Sequence, residues 1–214
     1  MISHKEQMEL FNLVSKHLKS DVTAYAFGGN AMMFYGYKDD TKDIDILFES
    51  TKERKEFIHV IELLGFKETS PMKIYIDEKL RNPSRPLMYI KDDIRFDIFV
   101  KKIFKTLLSP KMKDNLFSVH EFKGRHSLRL KILRKEHLVI LKTVTERDKD
   151  FEDIITITKT DKDFDWQYLI DEVIWQYQNG DSWILLDTEK MLIELKKYIH
   201  VPEKFIKQLY NLKI

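Results

Sequence analysis

The stretch AFGGNAMMFYGYKDDTKDIDILFES, Ala26 to Ser50, decides how the chain is read. It places two glycines side by side, although the whole chain of 214 residues holds only 6. An apolar run follows, and then DIDILFE, in which acidic and apolar residues alternate as they do on a strand. VTAYAF, just ahead of the glycines, reads as another strand, and Asn30 can cap a short helix over AMMFYGY. Gly28 and Gly29 therefore fall between strand and helix, where glycine lets the backbone approach a phosphate and helix N–H groups face it. Alone, such a pair is an ordinary connection. No G-K-[ST] follows it, and the G-x-G-x-x-G spacing is absent.

Side chains alternate faces along a strand, so Asp43 and Asp45 project to one side, about 7 Å apart at the backbone. Ile44 and Ile46 then point into the core. Two adjacent carboxylates repel each other and call for a cation or a basic partner. A hard ion such as Mg²⁺ accepts one or two carboxylates together with substrate phosphates. A lone D-x-D also occurs on solvent-facing strand edges. IRFDIFV, residues 94–100, adds Asp97 inside an otherwise apolar strand. If that strand lies beside DIDILFE, the three acids converge, as a two-ion site requires. Standing alone, Asp97 is an exposed strand acid.

Hydrophobic residues make up 43% of the chain and aromatics 12%, which describes a globular protein with a substantial core. The chain has no cysteine, which excludes a disulfide scaffold and thiolate metal sites. The charged start MISHKEQMEL carries no secretory h-region, and no apolar run reaches membrane-spanning length. A soluble, cytoplasmic protein is expected. The net charge of +2 confers no dominant nucleic-acid affinity, but the charges are unevenly spread. Lys101 to Lys135 holds eleven Lys or Arg against Asp114 and Glu121, while Thr145 to Asp165 holds eight acids against four bases. These runs read either as solvated faces or, for the first, as a flank for a phosphate-rich substrate.

The periodicity predicts helices over residues 4–19 and 51–65, and two hairpins built from PLMYI/IRFDIFV and LFSVHEF/SLRLKIL. Beyond Arg134 the pattern turns helical: KEHLVILKTVTER, FEDIITIT, WQYLIDEVIWQYQ and a tail from Thr188 to Leu212 interrupted at Pro202. The change of period divides the chain into residues 1–135 and a helical part, 136–214. Trp166, Trp175 and Trp183 read as core residues of that part.

At this point GGNAMMFYGYKDDTKDIDILF resembles the signature of the nucleotidyltransferase superfamily, the DNA polymerase beta-like proteins. That signature is a glycine turn, a short helix, Asp-x-Asp and a third acid on a later strand. Thirteen residues separate Gly29 from Asp43, and Asp97 stands where the third acid is expected. YGY…TKDIDIL is especially similar to the abortive-infection AbiEii-type branch and its bacterial and archaeal relatives. HLVILKTVTERDKDFEDI, residues 137–154, resembles the downstream helix of that branch.

The resemblance covers roughly residues 22–154 and implies an α/β (α+β) fold, a mixed sheet flanked by helices and followed by helices that complete the site. It implies metal-dependent transfer of an NMP from an NTP to an acceptor hydroxyl. Asp43, Asp45 and Asp97 would serve two Mg²⁺ (or Mn²⁺) ions and the acceptor. Gly28, Gly29 and Asn30 would contact the nucleotide; Asn30 stands where Ser or Thr is common. Lys142 would reach the triphosphate with help from Arg147, while Asp150 and Asp153 hold that helix, pairing with Arg147. The acceptors implied are RNA or tRNA, protein, or a small molecule, and one role is the toxin of a pair with an antitoxin partner. Two rivals stand beside this reading: a non-catalytic nucleotide- or partner-binding module of the same fold, and a D-x-D glycosyltransferase, which requires neither the glycine turn nor the later strand acid.

Overall fold

The computed structural model describes residues 1–70, 84–145 and 148–212. The chain forms two compact units, one of residues 1–104 with 115–133 and one of residues 105–114 with 134–214. The first is built on a mixed sheet flanked by helices, and the second is mainly helical.

The first unit opens with β1 (Ile2–Ser3) and α1 (His4–His17). Ser3 and Glu6 form a reciprocal capping box, which satisfies orphan N–H groups at the helix start. The buried side of α1 carries Phe11 and Val14, and Phe11 meets Phe122 with ring centroids 5.6 Å apart. Next come β2 (Val22–Phe27), α2 (Gly28–Phe34), β3 (Asp40–Thr41) and β4 (Asp43–Phe48). Helix α3 (Thr51–Leu63) is capped by Ser50, whose hydroxyl accepts from the Glu53 N–H. Then follow β5 (Lys67–Thr69), β6 (Leu87–Lys91), β7 (Ile94–Val100) and β8 (Lys102–Ile103). The unit closes with β10 (Leu116–Lys123) and β11 (Ser127–Leu133).

The strand order is β10-β11-β2-β4-β7-β6-β5. Both predicted hairpins form: β6–β7 and β10–β11 pair antiparallel, the former turning at Asp92 with φ of 52°. Strand β2 runs parallel to β11 and antiparallel to β4, while β4 runs parallel to β7. The apolar face of this centre meets α3: Phe57 lies 5.3 Å from Phe48 and 5.4 Å from Phe96 between ring centroids. All three rings are fully buried, each contributing roughly 1.5–3 kcal/mol by leaving water.

The second unit contains β9 (Thr106–Leu107) and α4 (Pro110–Asp114), followed by α5 (Lys135–Thr145), α6 (Asp148–Thr160), α7 (Trp166–Gln178), α8 (Ile184–Leu195) and α9 (Glu203–Asn211). Residues 105–114, which a split near residue 135 leaves with the front part, are tied here by side chains. Gln176 on α7 donates to the Leu107 carbonyl at 2.8 Å and accepts from the Leu107 N–H at 2.9 Å, so its amide acts as a strand partner would. The Thr106 hydroxyl donates to Asp181 at 3.0 Å. Helix α5 is buried from Glu136 through Thr143, which marks it as the centre of the unit. Within it His137 is fully buried, and burial, with Arg134 and Lys111 nearby, pushes its pKa down to about 3. Among the described residues no helix is long and apolar enough to cross a membrane.

Three local expectations are corrected. Helix α2 starts at Gly28 rather than after Asn30; its N-cap is Phe27, and Asn30 lies inside it. The helical tail starts at Ile184, four residues ahead of Thr188, and resumes after Pro202 as α9. Of the three tryptophans expected in the core, Trp166 and Trp175 are only half-buried, and Trp183 is 54% exposed at the start of α8, with the Lys105 ammonium 5.6 Å from its ring.

Candidate active site

Strand β4 sets the geometry of the candidate site. Its alternation sends Ile44 and Ile46 into the core with no exposed surface and leaves Asp43 and Asp45 partly exposed on the opposite face. Strand β7 lies alongside in parallel register, with Asp43 opposite Arg95 and Asp45 opposite Asp97. Arg95 and Asp97 are two apart on β7 and so share a face. Three acids and one arginine thus form a two-by-two block across the two strands. The convergence that the sequence made conditional on strand pairing is present.

Arg95 binds this block together. Its Nε donates to Asp97 Oδ1 at 2.7 Å, and Nη2 donates to Asp97 Oδ2 at 3.1 Å. Nη2 also lies 2.8 Å from Asp43 Oδ2. The fork is bidentate on Asp97, the geometry in which arginine–carboxylate pairs are strongest. Asp97 is 1% exposed, so its charge is sealed in and needs such a partner. Burial pulls the Arg95 pKa down, but the charges of Asp97, then Asp43 and Asp45, outweigh it and hold the guanidinium above its ordinary value.

The glycine pair is explained by what lies against it. Gly28 has φ of +65°, and a Cβ there would stand 2.0 Å from Asp45 Oδ2. A Cβ on Gly29 would stand 2.5 Å from the Thr41 hydroxyl. A side chain at Gly28 would displace the Asp45 carboxylate, and one at Gly29 would displace the Thr41 hydroxyl. Asn30, fully buried, accepts from the Asp45 N–H at 3.0 Å through Oδ1 and so ties α2 to β4. Its Nδ2 has no hydrogen-bond partner among the described residues, a costly state for a buried amide. Thr41 closes the turn into β4 by donating to the Asp43 carbonyl at 3.2 Å.

Lys142 belongs to the helical unit. It is 5% exposed, and its ammonium lies 2.5 Å from Asp153 Oδ2 and 3.2 Å from Asp150 Oδ1. The Thr145 hydroxyl donates to the second oxygen of Asp150 at 2.7 Å. Asp150 and Asp153 pair with Lys142 and brace α5 against α6; the expected pairing with Arg147 lies outside the described residues. Lys142 also lines a cleft of about 670 Å³ with Phe151, Met191 and Tyr198.

The structure therefore brings together Asp43, Asp45, Asp97, Gly28, Gly29 and Asn30. Sequence reasoning missed Arg95 and Thr41. Arg95 was findable, because the alternation that places Asp97 opposite Phe96 also places Arg95 beside Asp97.

The oxygen-only donor set of Asp43, Asp45 and Asp97 suits a hard divalent cation. The arrangement qualifies that fit. Among the described residues no group of three or more ligand-type side chains stands ready to hold a metal, and Arg95 occupies oxygens on two of the three acids.

No protein-family model matches the chain, and no curated protein does. Among solved structures, the chain is similar to the antibiotic-resistance factor ANT(2'')-Ia in a solution structure, with 14% identity and a TM-score of 0.44 over 74% of this chain and 85% of that one. It is also similar to ANT(2'')-Ia in complex with adenylyl-2''-tobramycin, with 12% identity and a TM-score of 0.39 over 86% of this chain and 96% of that one.

Proposed function

We propose that the chain is a metal-dependent nucleotidyltransferase that moves an NMP from an NTP to an acceptor hydroxyl and releases pyrophosphate. The observation that carries this reading is the register of β4 and β7, which puts Asp45 directly opposite Asp97 with Asp43 on the same face. The glycine turn lies against Asp45, so a phosphate approaching the turn also approaches the acids.

Asp43, Asp45 and Asp97 are the residues that would hold Mg²⁺ or Mn²⁺, and the ion's chemistry is charge stabilisation on the entering and leaving oxygens. Gly28 and Gly29 would offer backbone N–H groups to the triphosphate while their missing side chains let Asp45 and Thr41 pack against the turn. Asn30 holds the turn at a fixed distance from Asp45. Asp97, once one of its oxygens is released by Arg95, would orient the acceptor hydroxyl and take its proton as the hydroxyl oxygen forms the new bond to the α-phosphorus and the bond to pyrophosphate breaks. Lys142, with Arg147, reaches the triphosphate in this reading only by leaving the acids that now hold it. The acceptor is RNA or tRNA, a protein, or a small molecule; the toxin role, with an antitoxin partner, belongs to the first two.

A second reading, a non-catalytic nucleotide- or partner-binding module, is favoured by one observation: Arg95 already neutralises Asp97 and Asp43. Incubation with each labelled NTP and Mg²⁺, alongside total RNA, cell protein and small hydroxyl compounds, separates the two readings and names the acceptor class. Transfer is expected from the wild type, none from Asp45→Ala or Asp43→Ala. Asp97→Asn should lower turnover far more than nucleotide affinity. Full activity in either alanine variant would remove the catalytic reading.

A further inference from the structure

We infer that Arg95 is a resident counter-cation that competes with a divalent ion for Asp43 and Asp97 and so sets the metal affinity of the site. The inference rests on the nucleotidyl-transfer reading and deepens it.

Three carboxylates on adjacent strands repel one another, and the chain answers that repulsion from within. One guanidinium takes both oxygens of Asp97 and one of Asp43, at 2.7 to 3.1 Å. A divalent ion bound to the same carboxylates would stand within a few ångströms of that guanidinium, and like charges at such range oppose each other strongly. The ion and Arg95 are therefore alternatives for these oxygens.

Exposure shows which partner can move. The Asp97 side chain is 1% exposed and fixed in the sheet, whereas those of Arg95 and Asp43 are 15% and 29% exposed. Arg95 thus has a path toward solvent on the Asp43 side. Its departure would take the bidentate partner from a buried carboxylate, a cost that an arriving cation offsets. Cation entry and arginine exit are coupled for that reason. A triphosphate offers the displaced guanidinium a new anion of matching geometry, so an ion entering with its nucleotide meets less opposition than an ion alone.

The test is a titration with Mn²⁺ alone, followed by electron paramagnetic resonance, on the wild type, Arg95→Gln and Arg95→Lys, with thermal melts of each with and without the ion. Arg95→Gln should bind Mn²⁺ about tenfold more tightly than the wild type or better, with Arg95→Lys between them, because it keeps the charge but loses the fork. Arg95→Gln should also melt lower without the ion and gain more from it than the wild type does. A merely structural arginine would lower the melt without tightening Mn²⁺ binding. If Arg95→Gln does not fold, Arg95→Lys carries the test, and unchanged affinity in it overturns the inference. Equal or weaker Mn²⁺ binding by Arg95→Gln, with the wild type still binding Mn²⁺ and NTP together, overturns the inference and leaves the transferase reading standing. Failure of all three chains to bind Mn²⁺, with or without NTP, overturns the transferase reading itself.

Discussion

In each compact unit a cation lies between two aspartates, and the two arrangements differ in how they are closed. In the helical unit Lys142, Asp150 and Asp153 have side chains 6%, 4% and 8% exposed, and the Thr145 hydroxyl takes up a further oxygen of Asp150. In the sheet unit Arg95 and Asp43 keep contact with solvent, and a third acid, Asp45, adds to the negative charge around that guanidinium. A sealed cation that bridges two helices is a brace. A cation at the mouth of an acidic block can exchange its partner. The same pair chemistry, placed at different depth, gives a structural joint in one unit and a candidate reaction site in the other.

The largest effect should come from breaking the brace. Lys142→Met removes the charge and keeps most of the volume, taking from the buried Asp150 and Asp153 the ammonium that lies between them. Removing one partner of a buried ion pair costs about 3–5 kcal/mol, so urea unfolding should show a loss of that order. A loss under about 1 kcal/mol, within the range of exposed pairs, would mean the cluster is not sealed, and the contrast between the units would collapse. Intact stability together with lost NTP binding would move Lys142 from brace to nucleotide ligand.

A smaller effect is expected on the sheet side, from Gly28→Ala compared with Gly36→Ala. Both glycines have positive φ, +65° and +72°, so each substitution carries the left-handed backbone penalty of about 1–2 kcal/mol. Only Gly28 adds a contact, because its Cβ would meet Asp45 at 2.0 Å, while Gly36 has open space around it. Gly28→Ala should therefore be the less stable of the two in thermal melts, and it alone should lose nucleotidyl transfer. Equal melts and equal activities would show that the turn does not set the position of Asp45.

The elements that carry this comparison were unevenly legible in the sequence. DIDILFE announced its strand because alternation is local, and the buried Ile44 and Ile46 follow from it. Both hairpins were legible for the same reason. The parallel pairing of β4 with β7 has no local signal: the strands are joined by a long connection, and only an acid inside an apolar run hinted at it. Arg95 escaped notice because that strand was weighed for its acid alone. Residues 105–114 join the helical unit through Gln176 and Asp181, single side chains without periodicity, so no change of period could mark them. Gly28 and Gly29 were legible as a special turn, but the reason for them, contact with Asp45 and Thr41, needs the tertiary structure.

The smallest effect should come from the basic run, where both units contribute cations that already have partners. Across the β10–β11 hairpin Glu121 faces Arg129 in register and lies 3.1 Å from it, with Lys123 at 3.4 Å. The Lys131 ammonium donates to the Tyr25 hydroxyl at 3.1 Å and lies 5.0 Å from its ring. In the helical unit Lys135 pairs with Asp161 at 2.6 Å, which joins the basic run to the acidic one. Cations committed in this way add little free charge for phosphates. Removing charge at Arg125, Arg129 and Lys131 together should therefore leave the melting temperature and NTP binding unchanged and RNA retention no more salt-sensitive than before. The opposite result has a definite form: each cation that neutralises a phosphate contributes about 0.7–0.9 to the slope of log affinity against log salt. A steep wild-type slope that flattens by roughly one for each cation removed would make this hairpin face an acceptor platform for nucleic acid. The sheet unit would then hold both the acids and the acceptor surface, and the contrast with the braced helical unit would be sharper still.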